Sequence, residues 1–567
     1  MLKGLLVILI SLVSFTLPVW AQQDTLKDQK LREIVEARGQ AEVMILIPGG
    51  SSFSVLSRNV SVASVKDNTA TIILSRLTID WFLNKGYSYK IIEQPFRRAF
   101  SIIPARKILS DWNAYPSYPQ YDSIMQSFAQ NYPLLCSLDT IGTSVKGKLV
   151  LSLKITGNSG NDEDKPEVFY SSTIHGNETG GFVLMLRLAD YLLKNYRNDS
   201  YVTELMDNLR IYINPLANPD GTYNEGDIIS NPIRFNANGY DLNRNFPDPA
   251  TPNTVRQKET IDMIRYMRNH RFVISANFHA GEEVVNYPWD KWLTILHADN
   301  QWFYNISRAY ADTAHFYAGP GYMTFLDNGV TRGAVWYIVN GGRQDFITWE
   351  LQGREVTIEL DNQYVTPEAE LPLLWDNNYH SLLEYLGNAL YGIHGKVISS
   401  ETSLPVPAEV FISGHDIDSS QVYSDTLTGN FTRFLAPGSW NITFSATGYR
   451  DTTVNNVMVY DGQRTDLTVA MMPEQVPADT TMEIIPKLYP VPATAEINIL
   501  LPGRFSGLVN LRIYDISGRL MKEYNTEYST GIPIVTEVWS LPAGTYTIII
   551  TNNNIRGTVR GRFIVIK

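Results

Sequence analysis

The chain has 567 residues and a formal net charge of −11, with 44% hydrophobic and 19% charged residues. That length exceeds one ordinary core and predicts about three or four domains, while the composition excludes a disordered or fibrous protein. The negative charge argues against a general nucleic-acid binder and gives a surface that would attract basic peptides.

Residues 1–21 carry Lys3, an apolar run and then Val19-Trp20-Ala21 before Gln22. This is the pattern of a secretory signal peptide, and it predicts a mature chain beginning near Gln22. No other run approaches the length of a membrane span, so no transmembrane segment is expected in the mature chain, and no cysteine follows the apolar segment to carry a lipid. Cys136 is the single cysteine, so no disulfide can form within the chain. For an exported protein this points to a bacterial route.

Residues 22–110 alternate strand-like runs at 42–47, 60–65, 69–74 and 87–93 with a helical patch at 77–85, which predicts a small α+β domain. Its position before the chemistry suggests a prodomain or a folding aid, with a plain accessory domain as the alternative. From Trp112 the pattern predicts a helix at 121–132, a hairpin over 138–155, a helix at 181–196, a strand at 209–214, a helix at 262–270 and a strand at 272–278. Strands alternating with helices predict an α/β domain over residues 111–391 with a largely parallel or mixed sheet. In such sheets ligands sit beyond the carboxyl ends of strands. Helical patterning stops near Leu390. Short β-runs broken by Gly, Pro and Asn predict a small sandwich at 392–472, a linker at 473–483 and a second all-β block at 484–567.

The stretch Val168 to Glu178 organises the rest. A β-rich run leads into His175-Gly176-Asn177-Glu178, which reads as a strand and a tight turn before the helix at 181–196, and positions i and i+3 of a helical turn share a face, so the imidazole and the carboxylate can meet at one point. One nitrogen and one oxygen ligand suit zinc, but His-x-x-Glu alone is common and needs a third ligand and a catalytic partner. Asn277-Phe278-His279-Ala280-Gly281 offers a second imidazole at a strand end about a hundred residues on. Asp241-Leu242-Asn243-Arg244-Asn245, with Arg234 before it, gathers donors suited to a carboxylate. Trp336-Tyr337 before Gly341-Gly342 reads as a loop carrying a phenol or as a hairpin end. Glu359 sits on an otherwise apolar strand, where a carboxylate is either paired or held for acid–base work.

Taken together, in this order and spacing, the set resembles the zinc metallocarboxypeptidases of the funnelin class, and in detail their regulatory N/E branch. The resemblance covers about residues 112–390. It implies one Zn2+ per catalytic domain, held by His175, Glu178 and His279, with Asp241 orienting a ligand imidazole. It further implies Arg234 as the group polarising the scissile carbonyl, Asn243 and Arg244 as the pair holding the substrate's terminal carboxylate, Tyr337 as the closing phenol and Glu359 as the catalytic glutamate. Asp290 and Gln344 fall on positions that line the pocket for the C-terminal side chain, which implies release of lysine or arginine. Ala280-Gly281-Glu282-Glu283 departs from the branch, which has small uncharged residues there. Residues 393–471 resemble the transthyretin-like sandwich of that branch. The final block is similar to C-terminal sorting domains of the type IX secretion system in Bacteroidetes, which implies the secretion machinery as a partner and a secreted or surface-attached product. Peptide or protein C-termini are the substrates the resemblance implies. A trimmer of cell-wall peptides and a non-catalytic peptide-binding surface protein are the rival readings.

Overall fold

The computed structural model of the chain describes residues 19–49, 51–93, 111–157, 164–248, 255–474, 485–501, 507–552 and 557–567. Residues 1–18 of the expected signal segment and most of the expected linker at 473–483 lie outside the described residues. The expected cleavage edge falls within the first helix, α1 (Val19–Arg38).

The N-terminal unit is a four-stranded antiparallel sheet in the order β2-β3-β1-β4, built from β1 (Ala41–Leu46), β2 (Ser61–Lys66), β3 (Thr69–Leu74) and β4 (Tyr89–Ile92). Helices α2 (Ser51–Asn59) and α3 (Ile79–Asn84) complete it. Asp67 and Asn68 both adopt positive φ, 47° and 63°, and close β2 onto β3 as a tight two-residue turn. Alternate residues of β1 and β3, among them Val43, Ile45, Ala70 and Ile72, fill the core beneath α1 and α3.

The second unit is a mixed eight-stranded sheet. After helix α4 (Tyr118–Asn131) come β5 (Cys136–Thr143), β6 (Leu149–Ile155) and β7 (Glu167–Ser172), then α5 (Gly180–Asn195) and α6 (Ser200–Asn208). Next are β8 (Arg210–Asn214), α7 (Lys258–Arg268), β9 (Phe272–His279) and β10 (Glu282–Tyr287). Helix α8 (Asn300–Ala318), β11 (Val330–Arg332), α9 (Arg343–Glu350), β12 (Arg354–Asp361) and α10 (Leu371–Gly387) finish the unit. The strand order is β11-β10-β12-β9-β7-β8-β6-β5, and its centre, β12-β9-β7-β8, is parallel. Alternation along β7 explains the two cores: Val168 and Tyr170 face the cluster with α5, α8 and α10, while Phe169 faces the cluster with α7 and α9. A sheet covered on both faces by helices is the α/β architecture expected from the alternating pattern.

Residues 392–471 form two facing sheets of three and four strands, and residues 487–565 repeat that architecture. The first sandwich is pinned to the α/β unit by buried charge. Asp299 accepts hydrogen bonds from Arg354 Nη2 at 2.7 Å, Arg433 Nη1 at 2.6 Å and His415 Nε2 at 2.8 Å, and Arg433 also pairs with Asp416. Burial alone would raise the Asp299 carboxyl, but the two guanidiniums hold it well below the usual carboxylate range. Asp299, His415 and Asp416 are close enough to suggest a metal site, yet Arg354 and Arg433 already balance both carboxylates.

Candidate active site

The carboxyl ends of β7 and β9 lie side by side, with Ser172 opposite Phe278, and each leads to a histidine. After β7, Thr173 takes φ 61° and ends the extended strand before His175. At Gly176 a Cβ would lie 2.3 Å from the carbonyl carbon of Gly221, so glycine alone allows this approach. The expected tight turn stands between β7 and α5, and His175 and Glu178 lie in it rather than in a helical turn. Glu178 N donates to His175 O at 3.1 Å in this turn, which brings the two side chains together.

The Glu178 carboxylate lies 2.8 Å from both His175 Nδ1 and His279 Nδ1, and the two ring nitrogens are 3.1 Å apart. All three residues are only 2–3% exposed. Two imidazole nitrogens facing each other across a carboxylate leave a lone pair that hydrogen bonding among them does not use, whereas an N, N, O set converging on one point suits zinc. The donor set therefore fits the metal. Burial pushes the His279 imidazole down to about 4, which keeps it neutral as a ligand must be. Burial would raise Glu178, but His175 and His279 hold it below the usual carboxylate range.

The surrounding residues fix these ligands. Asp241 Oδ1 lies 3.0 Å from His175 Nε2, and the same carboxylate accepts from Asn243 N at 2.9 Å and Arg234 Nε at 3.0 Å. Arg234, 3% exposed, also donates through Nη1 to Glu178 Oε1 at 3.1 Å. Asn243 Oδ1 accepts from Arg343 N at 2.9 Å, which turns its amide nitrogen toward His279 Nε2 at 3.5 Å. Arg244 Nη1 donates to Asn243 O at 2.9 Å. Glu359 stands directly across from His279 in the pairing of β12 with β9. Its side chain is half-buried, and enclosure, with Glu178 nearby, pushes its carboxyl well above the ordinary value.

Tyr337 feels the charges of Arg244, Arg234, Glu359 and Asp290, and burial raises its phenol. Asp290 is 4% exposed and accepts from Gln344 Nε2 at 2.9 Å, while Gln344 also donates to Asn286 Oδ1 at 3.1 Å. Burial pushes the Asp290 carboxyl up to about 7, with Arg244 opposing. A Cβ at Gly333 would lie 1.8 Å from Asp290 Oδ1, so that glycine keeps the space at the carboxylate open.

The N-terminal unit reaches into the same cleft along β2. Arg234 Nε donates to Ser61 Oγ at 2.7 Å, and Ser61 also donates to Asp241. Arg244 Nη2 donates to Val62 O at 3.2 Å, Ser64 Oγ to Glu282 Oε1 at 2.7 Å, and Trp336 Nε1 to Val65 O at 3.3 Å. Tyr337 packs against the core of that unit. Sequence reasoning missed three participants. Arg343 forms a buried two-point pair with Glu355, at 3.0 and 2.9 Å, and so fixes Asn243. Asn277 contacts His279 Nε2 at 2.7 Å, which its i, i+2 spacing on a strand could have signalled. Ser61 carried no signal in the sequence.

Residues 121–381 match the zinc carboxypeptidase family, and residues 487–567 match the secretion system C-terminal sorting domain. Carboxypeptidase D of Homo sapiens is 35% identical over 363 residues, covering 61% of this chain and 26% of that protein. The chain thus spans about a quarter of the length of the carboxypeptidase D relatives it matches. Carboxypeptidase M of Mus musculus is 33% identical over 350 residues, 58% of this chain and 77% of that protein. The carboxypeptidase N catalytic chain of Rattus norvegicus is 31% identical over 380 residues, 59% of this chain and 82% of that protein. Among the described residues no helix is long and apolar enough to cross a membrane.

Proposed function

The chain belongs to the zinc carboxypeptidase family, and from that premise we propose that it is an exported exopeptidase that hydrolyses the last peptide bond of peptides and proteins and releases lysine or arginine. The observation that carries the reading is the convergence of His175, Glu178 and His279 on one point, with Glu359 beside His279 and Arg234 against Glu178. His175, Glu178 and His279 would hold a zinc ion, which would supply a Lewis acid able to acidify a water and polarise a carbonyl. Glu359 takes the proton from the attacking water and returns it to the leaving amine. Arg234 faces the charge that develops on the carbonyl oxygen. Asn243 and Arg244 hold the terminal carboxylate, for which a guanidinium fork is well shaped, and Tyr337 covers it. A site that demands a free carboxylate at a fixed distance from the water cleaves only at chain ends.

The buried Asp290, steadied by Gln344 and flanked by Gly333, supports a preference for a cationic C-terminal side chain. Purified protein assayed on peptides ending in Lys, Arg, Phe or Glu, with and without a chelator, tests the proposal. Hydrolysis of the Lys and Arg peptides that stops on chelation is the expected result. Equal rates on the Phe peptide overturn the specificity, and chelator-resistant hydrolysis overturns the zinc requirement.

In this reading residues 22–110 are a prodomain. The contacts of Ser61 with Arg234 and of the Val62 carbonyl with Arg244 support it, because a substrate's last residues need the same two guanidiniums.

A further inference from the structure

The two histidines are held differently. His175 Nε2 meets a carboxylate, Asp241 Oδ1, which can only accept when ionised, so the proton of its ring is committed to Nε2 and Nδ1 is left free to bind a cation. His279 also turns Nδ1 toward Glu178 and His175, but its Nε2 is met by an amide nitrogen, Asn277 Nδ2, at 2.7 Å. Asn277 is buried, and its Oδ1 has no hydrogen-bond partner. The next polar atom, Asn243 Nδ2 at 3.5 Å, is again a donor, because Asn243 Oδ1 is engaged by Arg343 N.

This arrangement suits an imidazole that carries its proton on Nδ1, donates to Glu178 and accepts from Asn277 on Nε2. It does not suit a ligand. A nitrogen that gives its lone pair to a cation cannot keep a proton, so the ring proton must move to Nε2, where it would face the amide N–H of Asn277 at 2.7 Å. Half a turn of the Asn277 amide about its last torsion removes the conflict, since the unpartnered Oδ1 then accepts from Nε2–H. The sp2 terminus of asparagine permits either orientation. Residues 277 and 279 lie on the same face of β9, so no backbone change is needed.

Resting on the zinc reading above, we infer that Asn277 is the positioning residue of the metal centre: its carbonyl holds His279 in the tautomer that binds the cation, and its amide serves the ring when no cation is there. Asparagine supplies both a donor and an acceptor at one spot, which neither aspartate nor an apolar side chain does.

The test uses the full chain and measures zinc affinity by competition with a chromophoric chelator, together with the thermal midpoint of the metal-free protein and the 15N spectrum of its histidines. Asn277→Leu is expected to weaken zinc binding by about 10- to 100-fold, the usual consequence of removing a ligand's hydrogen-bond partner. Asn277→Asp, only an acceptor once ionised, is expected to bind zinc at least as tightly as the parent. The zinc-loaded parent is expected to show His279 protonated on Nε2. Equal zinc affinity in the parent and in Asn277→Leu overturns the inference while leaving the zinc site standing, and so does a tenfold loss in Asn277→Asp. If Asn277→Leu does not fold, the Asp variant and the tautomer spectrum still decide. A parent chain that binds no zinc overturns the zinc reading, and this inference with it.

Discussion

Glu359, the proposed base, combines a position and an environment suited to that role. Its strand partner is His279, and enclosure with Glu178 nearby raises its carboxyl, so once ionised it is a stronger proton acceptor than a surface glutamate. Glu359→Gln keeps the shape and removes the base. A loss of roughly 10²- to 10⁴-fold in kcat/KM with unchanged zinc content is expected. Retained turnover would refute the role. Asp290 carries a second prediction, with its sign set by a carboxyl raised to about 7. Below that value the group is neutral and cannot pair with a cation; above it the carboxylate can. The ratio of kcat/KM for Lys-ending over Phe-ending peptides should therefore grow from about pH 6 to about pH 8, and Asp290→Asn should abolish the rise. A flat ratio would remove Asp290 from the pocket. At this scale the three ligands are legible because the two histidines end β-rich runs and Glu178 follows His175 at i+3, both local patterns. Arg343 was hidden, since its buried pairing with Glu355 depends on how α9 folds back against β12.

Among the elements, β7 is held at both ends. Its carboxyl end leads to the site, and its first residue, Glu167, accepts from Arg271 N at 2.6 Å, Tyr212 Oη at 3.1 Å and His270 Nδ1 at 3.2 Å. Glu167 thus ties the start of β7 to β8 and to the turn before β9. Burial alone would raise its carboxyl, but His270, Arg210 and the Arg271 N–H bring it down to about 2. A depressed carboxyl contributes stability that is fully present above its ordinary value near 4.5 and is lost as pH falls toward about 2. The contribution is about 3 kcal/mol. Thermal midpoints should fall steeply across that interval in the parent and less steeply in Glu167→Gln; parallel curves would show that Glu167 is not responsible. Strand β3 and helix α7 follow local alternation and helical spacing and were legible from the sequence. The tight turn at His175 is legible from its small residues, whereas the closeness of His175 and Glu178 within it comes from the turn itself and not from helical geometry, and it depends on Gly176 meeting Gly221, a contact made only in the folded chain.

At the scale of the whole molecule, two sets of polar contacts join units of the chain beside their apolar packing. The pin at Asp299 is buried and charge-balanced, so it joins the first sandwich to the α/β unit as a fixed body. The N-terminal unit is joined differently. Its β2 crosses the cleft with a hydroxyl on Arg234, a carbonyl on Arg244 and a hydroxyl on Glu282, and each of these is a hydrogen bond that a substrate or water can replace. A cover that lays exchangeable bonds over groups proposed to bind substrate would compete with substrate, and weakening it should raise activity rather than lower it. Ser64→Glu would set a second carboxylate against Glu282, whose own carboxyl burial already raises, without touching a residue proposed for binding or chemistry. A rise in kcat/KM on the order of tenfold is expected, equivalent to about 1.4 kcal/mol removed from the closed state. Ser64→Ala, which loses one hydrogen bond and adds no repulsion, should give a smaller rise in the same direction. An unchanged or reduced kcat/KM in Ser64→Glu would mean that residues 22–110 support the fold of the site instead of covering it.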